Sequence, residues 1–580
     1  MRKTILASAV ALASLSLTTT AAVYDVDVLT ANDLAQNVFA KGIDDTGNAL
    51  VVVQNEYNQP IDLSQLDFDN EAFTANLTDV DAAKEGNFND ADYNLIIALL
   101  RSSTGRNTGG QRLPNFRSYQ QSGVQINSVF AFDELNENFN ALSRSNQVIV
   151  RDSLNGDYFV GTSDDAFSLF TYTDTDGDEQ TIQINDFGNR GFVQINGVTT
   201  GLPGPYSTLG GSSDAFAINN NLQVAGSAIV SVSENVTDAI ERCDDDDARG
   251  DTPIEVCRWR INYPNNLNGA SVSAIVAGGQ RRAVIWELST DGTLVNTQEY
   301  GLLFEPEEDD TFLYLSEAVD INDAGIAIGT ASTGEIVEIT RPNPNSGVGS
   351  NIIELGVVAT SFHNGEMTEL LDRSTFSQSR ALVINNNNWV AGISAQVAST
   401  TARDKLFVKN LDSGEERIVN GFFTSSQTTP RDINDNNIIV GEAEVEVSNE
   451  ARREKNAFMY NIETDEFVNL NTLIPCDAPY TLVDAVGINN NDEILVTARA
   501  SSPIRDARGQ DVLDDDGNQQ LIDKAIVLKL SPNANGQVEE CGGSTDTDTI
   551  PERQGASLPL SVLGFLAGAL VFFRRYNERD

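Results

Sequence analysis

Histidine, cysteine and basic residues are scarce in this chain of 580 residues. It has one His, four Cys and 37 Lys and Arg, against 85 Asp and Glu, so its formal net charge is −48. The one histidine, His363, cannot form a metal-binding His cluster, and a His-based catalytic triad would depend on it alone. The charge argues against nucleic acid binding, which needs a basic face, and against peripheral binding to anionic lipid.

Several motifs of common enzymes are also missing. The sequence has no Gly-x-Ser-x-Gly nucleophile elbow, no phosphate-binding P-loop and no Cys-x-x-Cys pair. Enzyme chemistry would therefore use Asp or Glu, as in glycoside hydrolysis, and no pair stands out among 85 acidic residues. No long amphipathic helical pattern is present either, which argues for an all-β protein.

A phrase of twelve residues recurs six times along the chain. Its fourth residue is always Ile, its fifth and sixth are always Asn or Asp, and the apolar run that follows ends in Gly in four copies. The pattern predicts a strand, a tight turn and a second strand, because Asn, Asp and Gly tolerate positive φ, and the closing Gly suits a bend or a close backbone approach. The copies are Ala40–Val51, Ala215–Gly226, Ala318–Gly329, Ala381–Gly392, Pro430–Gly441 and Ala485–Val496.

Short apolar-aromatic segments follow the phrase and bring the content of each unit to about four strands, as in a propeller blade. Two worn copies, closing at Tyr158–Gly161 and at Ala274–Gly278, raise the expected number to roughly six to eight blades. The alternative is an open β-solenoid, but a closed ring explains better how a long all-β chain hides its edge strands. The predicted following strands are Ala166–Phe170, Ala283–Trp286, Ala457–Tyr460 and Phe467–Leu470.

The phrase, with its Ala-Phe-x-Trp/Tyr follower, resembles the HAF-type extracellular repeat of bacterial secreted proteins. The layout resembles an uncharacterised family of Gram-negative envelope proteins, a domain of unknown function. The resemblance covers most of residues 40–500 and implies no catalytic residue. The chain departs from the pattern where Asn388 and Asn437 replace the turn Gly, and where Val51 and Val496 close the first and last copies.

The N-terminus predicts a secretory signal peptide over residues 1–22. Arg2 and Lys3 precede the apolar stretch Ile5–Leu17, and small residues place the cleavage site between Ala22 and Val23. Residues 23–540 are then the repeat domain.

One segment does not fit the repeat. An insertion is expected at about residues 90–119, with a short helix over Tyr93–Leu100 and a basic loop. The Arg residues of this segment either balance neighbouring acids, which we favour, or dock a partner; they are Arg101, Arg106, Arg112 and Arg117.

The C-terminus carries a second apolar segment. Residues 541–557 read as a disordered polar stalk, and residues 558–580 as a hydrophobic helix with a basic stop at Arg574 and Arg575. The segment resembles tails removed by a rhomboid-type sorting protease, with processing at Gly555, Ala556 and Ser557, although the Gly-Gly pair of those tails lies here at residues 542–543. A plain anchor is the alternative. Either places the repeats outside the cytoplasm, in the periplasm, at the cell surface or in the medium, with membrane contact only through this segment.

Four cysteines fit an oxidising compartment. Proximity and position favour the disulfides Cys243–Cys257 and Cys476–Cys541, and the two other pairing schemes stay open.

Acidic clusters are the only candidate metal ligands, and Ca²⁺ is the only candidate cofactor. Asp174, Asp176 and Asp178 resemble the start of a calcium loop, but Glu179 and Asn185 occupy the positions where an EF-hand needs Gly and Glu. A hairpin turn is the favoured interpretation. The Asn and Asp residues of the repeat turns would lie on one rim, where they close turns or bind sugars or cations; turn closure is favoured.

These observations predict an exported, non-enzymatic binding or scaffold module with a protein or carbohydrate ligand. The alternatives are a secreted carbohydrate-active enzyme that uses Asp or Glu, and a cation-stabilised surface or matrix protein. Close carboxylates of raised pKa in a central funnel would favour the enzyme. A smooth rim of Asn and Asp would favour binding.

Overall fold

The computed structural model describes residues 23–538. The segments outside this description are 1–22, 102–110, 134, 137–140, 143–145, 175, 263–273, 308–309, 344–347, 399–400, 448–452 and 539–580.

The described residues form seven antiparallel sheets of four strands each, which are the blades of a propeller. Blade 1 contains β2 (Ala35–Ile43), β3 (Ala49–Glu56), β4 (Phe116–Ser122) and β5 (Gln125–Val129). Blade 2 contains β8 (Val148–Leu154), β9 (Tyr158–Ser163), β12 (Arg190–Ile195) and β13 (Val198–Leu202). Blade 3 contains β14 (Ser213–Ile218), β15 (Gln223–Val232), β16 (Gly279–Leu288) and β17 (Leu294–Glu299). Blade 4 contains β18 (Ser316–Ile321), β19 (Ala327–Pro342), β20 (Gly349–His363) and β21 (Glu366–Glu369).

The remaining blades follow the same order. Blade 5 contains β22 (Ser379–Ile384), β23 (Trp389–Ala398), β24 (Thr401–Asn410) and β25 (Glu416–Val419). Blade 6 contains β26 (Thr428–Ile433), β27 (Ile438–Glu444), β28 (Lys455–Asn461) and β29 (Glu466–Asn469). Blade 7 contains β30 (Tyr480–Ile488), β31 (Ile494–Pro503), β32 (Leu521–Pro532) and β1 (Tyr24–Val28).

The ring is closed. Each inner strand, which is the first strand of its blade, contacts the inner strands of both neighbouring blades, and β30 contacts β2. This contact excludes the open solenoid. The largest buried side chains, such as Trp286, Phe407 and Phe458, fill the spaces within and between adjacent sheets.

Blade 7 is assembled from both ends of the repeat domain. Its outermost strand, β1, pairs antiparallel with β32, so that Tyr24 lies opposite Pro532. The amide of Asn533 also donates to the carbonyl of Val23, at 2.9 Å. The two ends therefore leave the propeller side by side, and the ring is fastened by backbone hydrogen bonds between them.

Each inner strand carries a β-bulge at the same point of the repeated phrase. In blade 4, for example, Ala318 pairs with Gly329 and Asp320 pairs with Ile328, so Val319 is the extra residue. The bulge brings the carbonyl of Glu317 over Gly329, where a Cβ atom would lie only 2.0 Å from it. In the four copies that end in Gly, close backbone approach therefore accounts for the closing residue, as predicted, whereas Val51 and Val496 occupy this position in blades 1 and 7.

Two faces follow from the strand order. The turns between first and second strands and between third and fourth strands lie on one face, which we call the turn face. The connections between second and third strands lie on the other, which we call the insertion face. These connections span residues 57–115, 164–189, 233–278, 343–348, 399–400, 445–454 and 504–520.

The insertions supply nearly all the helix of the described chain. Blade 1 inserts α1 (Glu71–Thr74), α2 (Val80–Lys84) and α3 (Asp90–Arg101), and blade 3 inserts α4 (Glu234–Asp244), α5 (Asp246–Arg249), α6 (Ile254–Asn262) and α7 (Ala274–Gly278). Blade 2 inserts the hairpin β10 (Ser168–Thr173) and β11 (Glu179–Ile184), and a short hairpin of β6 (Leu135–Asn136) and β7 (Ala141–Leu142) precedes the blade. Single 3-10 turns occupy Thr30–Asp33, Leu63–Gln65, Thr208–Gly210 and Leu470–Thr472.

The structure corrects three details of the sequence interpretation. Ala274–Gly278 is helix α7 rather than a worn strand. The long stretch between the copies at Ala215–Gly226 and Ala318–Gly329 therefore holds the rest of one blade with a helical insertion. Ala166–Phe170 leads into the inserted hairpin β10–β11, and the third strand of blade 2 is Arg190–Ile195. The blade 1 insertion runs over 57–115 rather than 90–119, because Phe116–Ser122 returns to the sheet; its helix α3 is where it was expected.

Candidate functional site

The Asn and Asp residues of the repeat turns act first as turn caps. In blade 6, Asn434 Oδ1 accepts the backbone amides of Asn436 at 3.1 Å and Ile438 at 3.0 Å. The same pair of bonds forms in blades 1, 3, 4, 5 and 7. The cap fixes each turn and frees the amide nitrogen of the side chain for another bond.

That second bond links neighbouring blades into a belt around the axis. The side-chain amide of each capping Asn donates to the backbone carbonyl of the capping residue in the next blade. The five links are Asn219 to Asn322 (2.8 Å), Asn322 to Asn385 (3.2 Å), Asn385 to Asn434 (2.9 Å), Asn434 to Asn489 (3.0 Å) and Asn489 to Asp44 (3.0 Å).

The belt runs from blade 3 to blade 1 and is interrupted at blade 2. Asp44 caps its turn like the other residues but has no amide to donate onward. Blade 2 replaces the capped turn by Asn155-Gly156, both with positive φ, as in a two-residue hairpin. Gln120 of blade 1 donates instead to the carbonyl of Gly156, at 3.1 Å.

Three carboxylates line the channel behind the belt. Asp152, Asp320 and Asp432 lie on the inner strands of blades 2, 4 and 6. One oxygen of each accepts the amide of the following residue, and the other accepts the amide of an Ile in the next blade; the three inter-blade bonds are to Ile218 (2.9 Å), Ile384 (2.7 Å) and Ile488 (2.8 Å).

Burial raises the pKa of these three carboxyl groups. The pKa of Asp152 rises to about 6 and that of Asp320 to about 7. The pKa of Asp432 is raised well above its usual value, and repulsion from Asp320 and Asp152 adds to the effect of burial. Backbone amides lower all three values, but desolvation dominates.

The mouth of the channel on the turn face is a polar cavity of about 220 Å³. All seven blades line it, through the ends of their inner strands and the turns that follow them. Because every channel carboxylate has both oxygens engaged by backbone amides, the three Asp residues act as clamps between blades. In the described part of the chain, no group of three or more His, Cys, Asp or Glu side chains could hold a metal ion. The raised pKa values thus follow mainly from burial of these three carboxyl groups where neighbouring blades meet.

The predicted calcium loop is the tip of the inserted hairpin. Asp174 Oδ1 accepts the amides of Asp176 (3.1 Å) and Asp178 (2.9 Å), and its Oδ2 accepts from Gln180. Asp514 forms the same cap with residues 516 and 518. The structure therefore uses Asp174 to close a turn, and it does not bring the three carboxylates together at one point.

Other predicted site residues lie apart from the channel. Cys243 and Cys257 form a disulfide between α4 and α6, with Cα atoms 5.7 Å apart. Cys541, Ala22, Gly555, Ala556 and Ser557 lie outside the described residues, as do the predicted stalk and tail. His363 has Nδ1 at 3.1 Å from the carbonyl of Gly325 and Nε2 at 2.8 Å from the amide of Asn364, so both ring nitrogens have partners.

A continuous surface on the insertion face was not predicted from the sequence. We call it the crown; it consists of the insertions of blades 7, 1, 2 and 3. The insertions of blades 7 and 1 meet where Arg508 lies over the Tyr93 ring at 4.1 Å and donates to the carbonyl of Phe88 at 2.8 Å. Arg112 of blade 1 then lies over the ring of Phe167 in blade 2, at 4.0 Å.

The crown continues from blade 2 to blade 3. Trp259 of α6 donates to Asn185 at 3.0 Å, and Arg260 donates to the hydroxyl of Tyr172 at 3.2 Å. Two of the Arg residues of the predicted basic segment therefore contact the fold: Arg112 links two insertions, and Arg117 pairs with Glu56 at 3.6 Å. Arg106 lies outside the described residues. Sequence spacing gave no sign of the crown, because its contacts join segments that are far apart in the chain.

The crown has a small hydrophobic core and an open cavity. Phe73, Ile96, Ile97 and Leu100 are buried in the blade 1 insertion together with Tyr93. Beside them is a cavity of about 610 Å³ lined by Pro60, Leu63, Phe88 and polar groups of residues 58–64. The blade 1 insertion is therefore packed around a hydrophobic cluster of its own, against which Ala507 of the blade 7 insertion also packs.

Blades 4 to 7 are joined on the same face by ion pairs. Arg341 of blade 4 pairs with Asp404 of blade 5 at 2.9 Å. Arg403 of blade 5 pairs with Glu444 of blade 6 at 3.2 Å. Arg499 of blade 7 pairs with Glu454 of blade 6 at 2.8 Å, so ion pairs link blades 4 to 7.

Taken together, the closed ring, the fastened ends and the belt define a seven-bladed β-propeller. The chain belongs to a protein family of unknown function, DUF3466, whose model matches residues 2–576. No curated protein matches the chain. Among solved structures, the β-propeller domain of the Trilobed protease from Pyrococcus furiosus is similar at 7% identity, over 70% of this chain and 98% of that chain, with a TM-score of 0.25. Within the described residues, we find no helix with the length and apolar character needed to cross a membrane.

Proposed function

We propose that this protein is an exported, non-enzymatic binding module of the Gram-negative cell envelope and that it binds its ligand on the insertion face. The observation that carries the proposal is the distribution of insertions. Every long connection within a blade emerges on the insertion face, and four of them lock into the crown. Binding residues are commonly carried on such loops, because a rigid scaffold positions them.

The position of the two ends supports this orientation. Strand β1 begins, and β32 ends, at the turn-face edge of blade 7. A tether that follows residue 538 would therefore hold the turn face toward its attachment point and present the crown outward. The HAF-like repeat, the signal-like N-terminus and the Cys243–Cys257 disulfide all support an oxidising compartment outside the cytoplasm.

Charge limits the class of ligand. The four insertions of the crown contain 30 Asp and Glu against 10 Lys and Arg. Such a surface repels nucleic acids and other polyanions and favours a basic protein surface or a neutral glycan. We favour these two ligand classes over a catalytic role, because the channel carboxylates are engaged by backbone amides.

The proposal is tested with two triple variants that change charge equally on opposite faces. Asp69→Asn, Glu71→Gln and Asp81→Asn alter exposed acids of the blade 1 insertion. The matched control carries Asp→Asn at the three turn-face residues Asp45, Asp323 and Asp435, which other copies of the phrase replace by Asn. The full chain is titrated against two neutral glycans, soluble chitin oligosaccharides and dextran, and against a small basic protein, egg-white lysozyme.

We expect saturable binding to at least one of these probes, weakened about tenfold or more by the insertion-face variant and unchanged in the control. Equal weakening by both variants would show attraction to net charge only. That result, or the absence of binding to all three probes, would overturn the proposal. Fractionation of expressing cells tests export independently, and a cytoplasmic location would contradict that part.

A further inference from the structure

The seven bulged residues occupy the same position on the inner strands, which surround the axial channel. Each is partly or fully exposed, whereas the residue before it is buried in all seven blades. Three are basic, four are apolar and none is acidic, in a chain with 85 acidic residues. They are Lys41, Arg151, Phe216, Val319, Leu382, Arg431 and Val486.

The three basic side chains approach the axis from different blades. Lys41 of blade 1 lies within electrostatic range of Arg151 in blade 2, Arg431 in blade 6 and Asp484 in blade 7. Burial lowers the pKa of Lys41, and the two guanidinium groups lower it further. These residues belong to the consecutive blades 6, 7, 1 and 2, so the charged side chains cluster along one arc of the inner strands.

Only one of the three cations is paired. Arg431 bonds to Glu442 at 3.0 Å and Asp484 at 3.2 Å. Within the described part of the chain, Lys41 and Arg151 have neither a side-chain hydrogen bond nor an ion pair, and Arg151 Nε is fully buried without a partner.

The acids nearest to Arg151 are already engaged. Asp214 and Glu317 are the carboxylates within electrostatic range of Arg151. Arg281 pairs with both of them, at 2.6 Å and 3.7 Å. The guanidinium of Arg151 lies instead over the ring of Phe216, at 4.8 Å. A guanidinium nitrogen that is buried without a hydrogen-bonding partner is costly, and an anion that accepts from this guanidinium would relieve that cost.

We propose that the axial channel, on the insertion-face side of the belt, binds a small organic anion through Lys41 and Arg151. The recognised group is a carboxylate or a phosphate, because an ammonium and a guanidinium are the donors that bind these oxyanions. The apolar residues Phe216, Val319 and Val486 complete the ring and suit a ligand with a short apolar body. The site lies inside the ring, so it does not depend on ligand binding by the crown.

The alternative is that both cations only balance the acidic charge of the protein. The two are distinguished by thermal unfolding of the full chain in chloride, inorganic phosphate and hexanoate at equal ionic strength. We expect phosphate or hexanoate to raise the melting temperature saturably beyond chloride. Stabilisation by phosphate alone would assign the site to phosphate groups, and stabilisation by hexanoate would assign it to carboxylates with an apolar body.

Three variants complete the test. Lys41→Met and Arg151→Met should weaken the apparent affinity about tenfold or more, and Lys41→Arg should retain most of it. Arg499→Met removes the same charge from an exposed pair with Glu454 outside the channel and should leave the affinity unchanged. Equal effects of all three anions, or full binding in both Met variants, would overturn the proposal. If a Met variant does not fold, isothermal titration of Lys41→Arg and wild type against the same anions decides between the two interpretations, because charge balance alone gives no saturable heat.

Discussion

Gly487 of blade 7 faces Gly42 of blade 1 so closely that a Cβ atom on Gly487 would lie 3.1 Å from the Cα atom of Gly42. The same position of the phrase carries Asp in blades 2, 4 and 6, where each carboxylate clamps the next blade. Because the ring has seven blades, Asp cannot occupy this position in every second blade all the way round, and two neighbouring blades must both lack it. Those two are blades 7 and 1, where the glycines let the backbones of the first and last blades meet.

Substitution of Gly487 should therefore weaken ring closure. In Gly487→Ala the methyl group would lie 3.0 Å from the backbone nitrogen of Ile43, and we expect a loss of about 1–3 kcal/mol in the free energy of unfolding. Urea unfolding followed by tryptophan fluorescence measures it. Gly301→Ala is the control, because a Cβ there meets nothing within 4 Å; a loss equal to that of the control would contradict the close contact.

Stability should fall as the pH rises from about 4 to above 7. The pKa of Asp152 is about 6 and that of Asp320 about 7 in the folded protein, above the unfolded value of about 4. The folded state therefore binds more protons in this window, and stability that is present below the unfolded pKa is lost as the carboxyl groups ionise. We expect a loss on the order of 1 kcal/mol per pH unit.

The variant Asp320→Asn tests the origin of this dependence. It cannot ionise, so the slope of unfolding free energy against pH between 5 and 8 should become shallower than in the wild type. Asp69→Asn, at an exposed position, serves as the control and should keep the full slope. An unchanged slope in Asp320→Asn would exclude the channel carboxylate as the source.

Loss of a single belt residue should cost more than loss of an exposed amide. Asn434 is buried, caps its own turn and donates to the carbonyl of Asn489 and to Asp492 at 2.7 Å. We expect Asn434→Ala to lose about 2–4 kcal/mol, since several buried groups lose partners together. Chemical denaturation provides the measurement, with Asn296→Ala as an exposed control that has one side-chain bond. Equal losses would show that the belt adds nothing to stability.

Calcium should act on this protein only through ionic strength. Asp174 accepts hydrogen bonds from the amides of Asp176 and Asp178 and from Gln180. In the described chain, no group of three or more His, Cys, Asp or Glu side chains could hold a metal ion. Melting temperatures in NaCl and CaCl₂ at matched ionic strength should therefore agree, and a chelator should change nothing. A shift of many degrees specific to Ca²⁺ would revive the cation-stabilised structural role.

The repeated phrase was enough to predict the class of fold. Ile, the Asn or Asp pair and the closing Gly predicted strand, turn and strand, and the worn copy at Tyr158–Gly161 is indeed a blade strand. The phrase could not show that Ala274–Gly278 is helical, because a short apolar run has the same appearance in a strand and in a helix. The disulfide between Cys243 and Cys257 was favoured because the two residues are close in sequence, and the structure contains it. It joins α4 and α6, which belong to the same blade 3 insertion as the helix that was mistaken for a strand.

The candidate sites were less accessible to sequence reasoning. The turn residues were expected to close turns, and they do, but the link from Asn489 to Asp44 joins residues 445 positions apart. The bulge that turns Lys41 and Arg151 toward the axis leaves no mark in composition or spacing. Lys41 and Arg151 become neighbours only in the folded ring, where blades 1 and 2 lie beside each other.

The pairing of Tyr24 with Pro532 also sets an order of events in time. The first strand to emerge during synthesis must wait for the last before it has a partner, so no shortened product can complete blade 7. A chain that stops before β32 keeps β1 unpaired and leaves the outer edge of β31 bare, and exposed strand edges invite aggregation and proteolysis. Completion of blade 7 thus depends on synthesis of β32, because β1 has no partner strand before then.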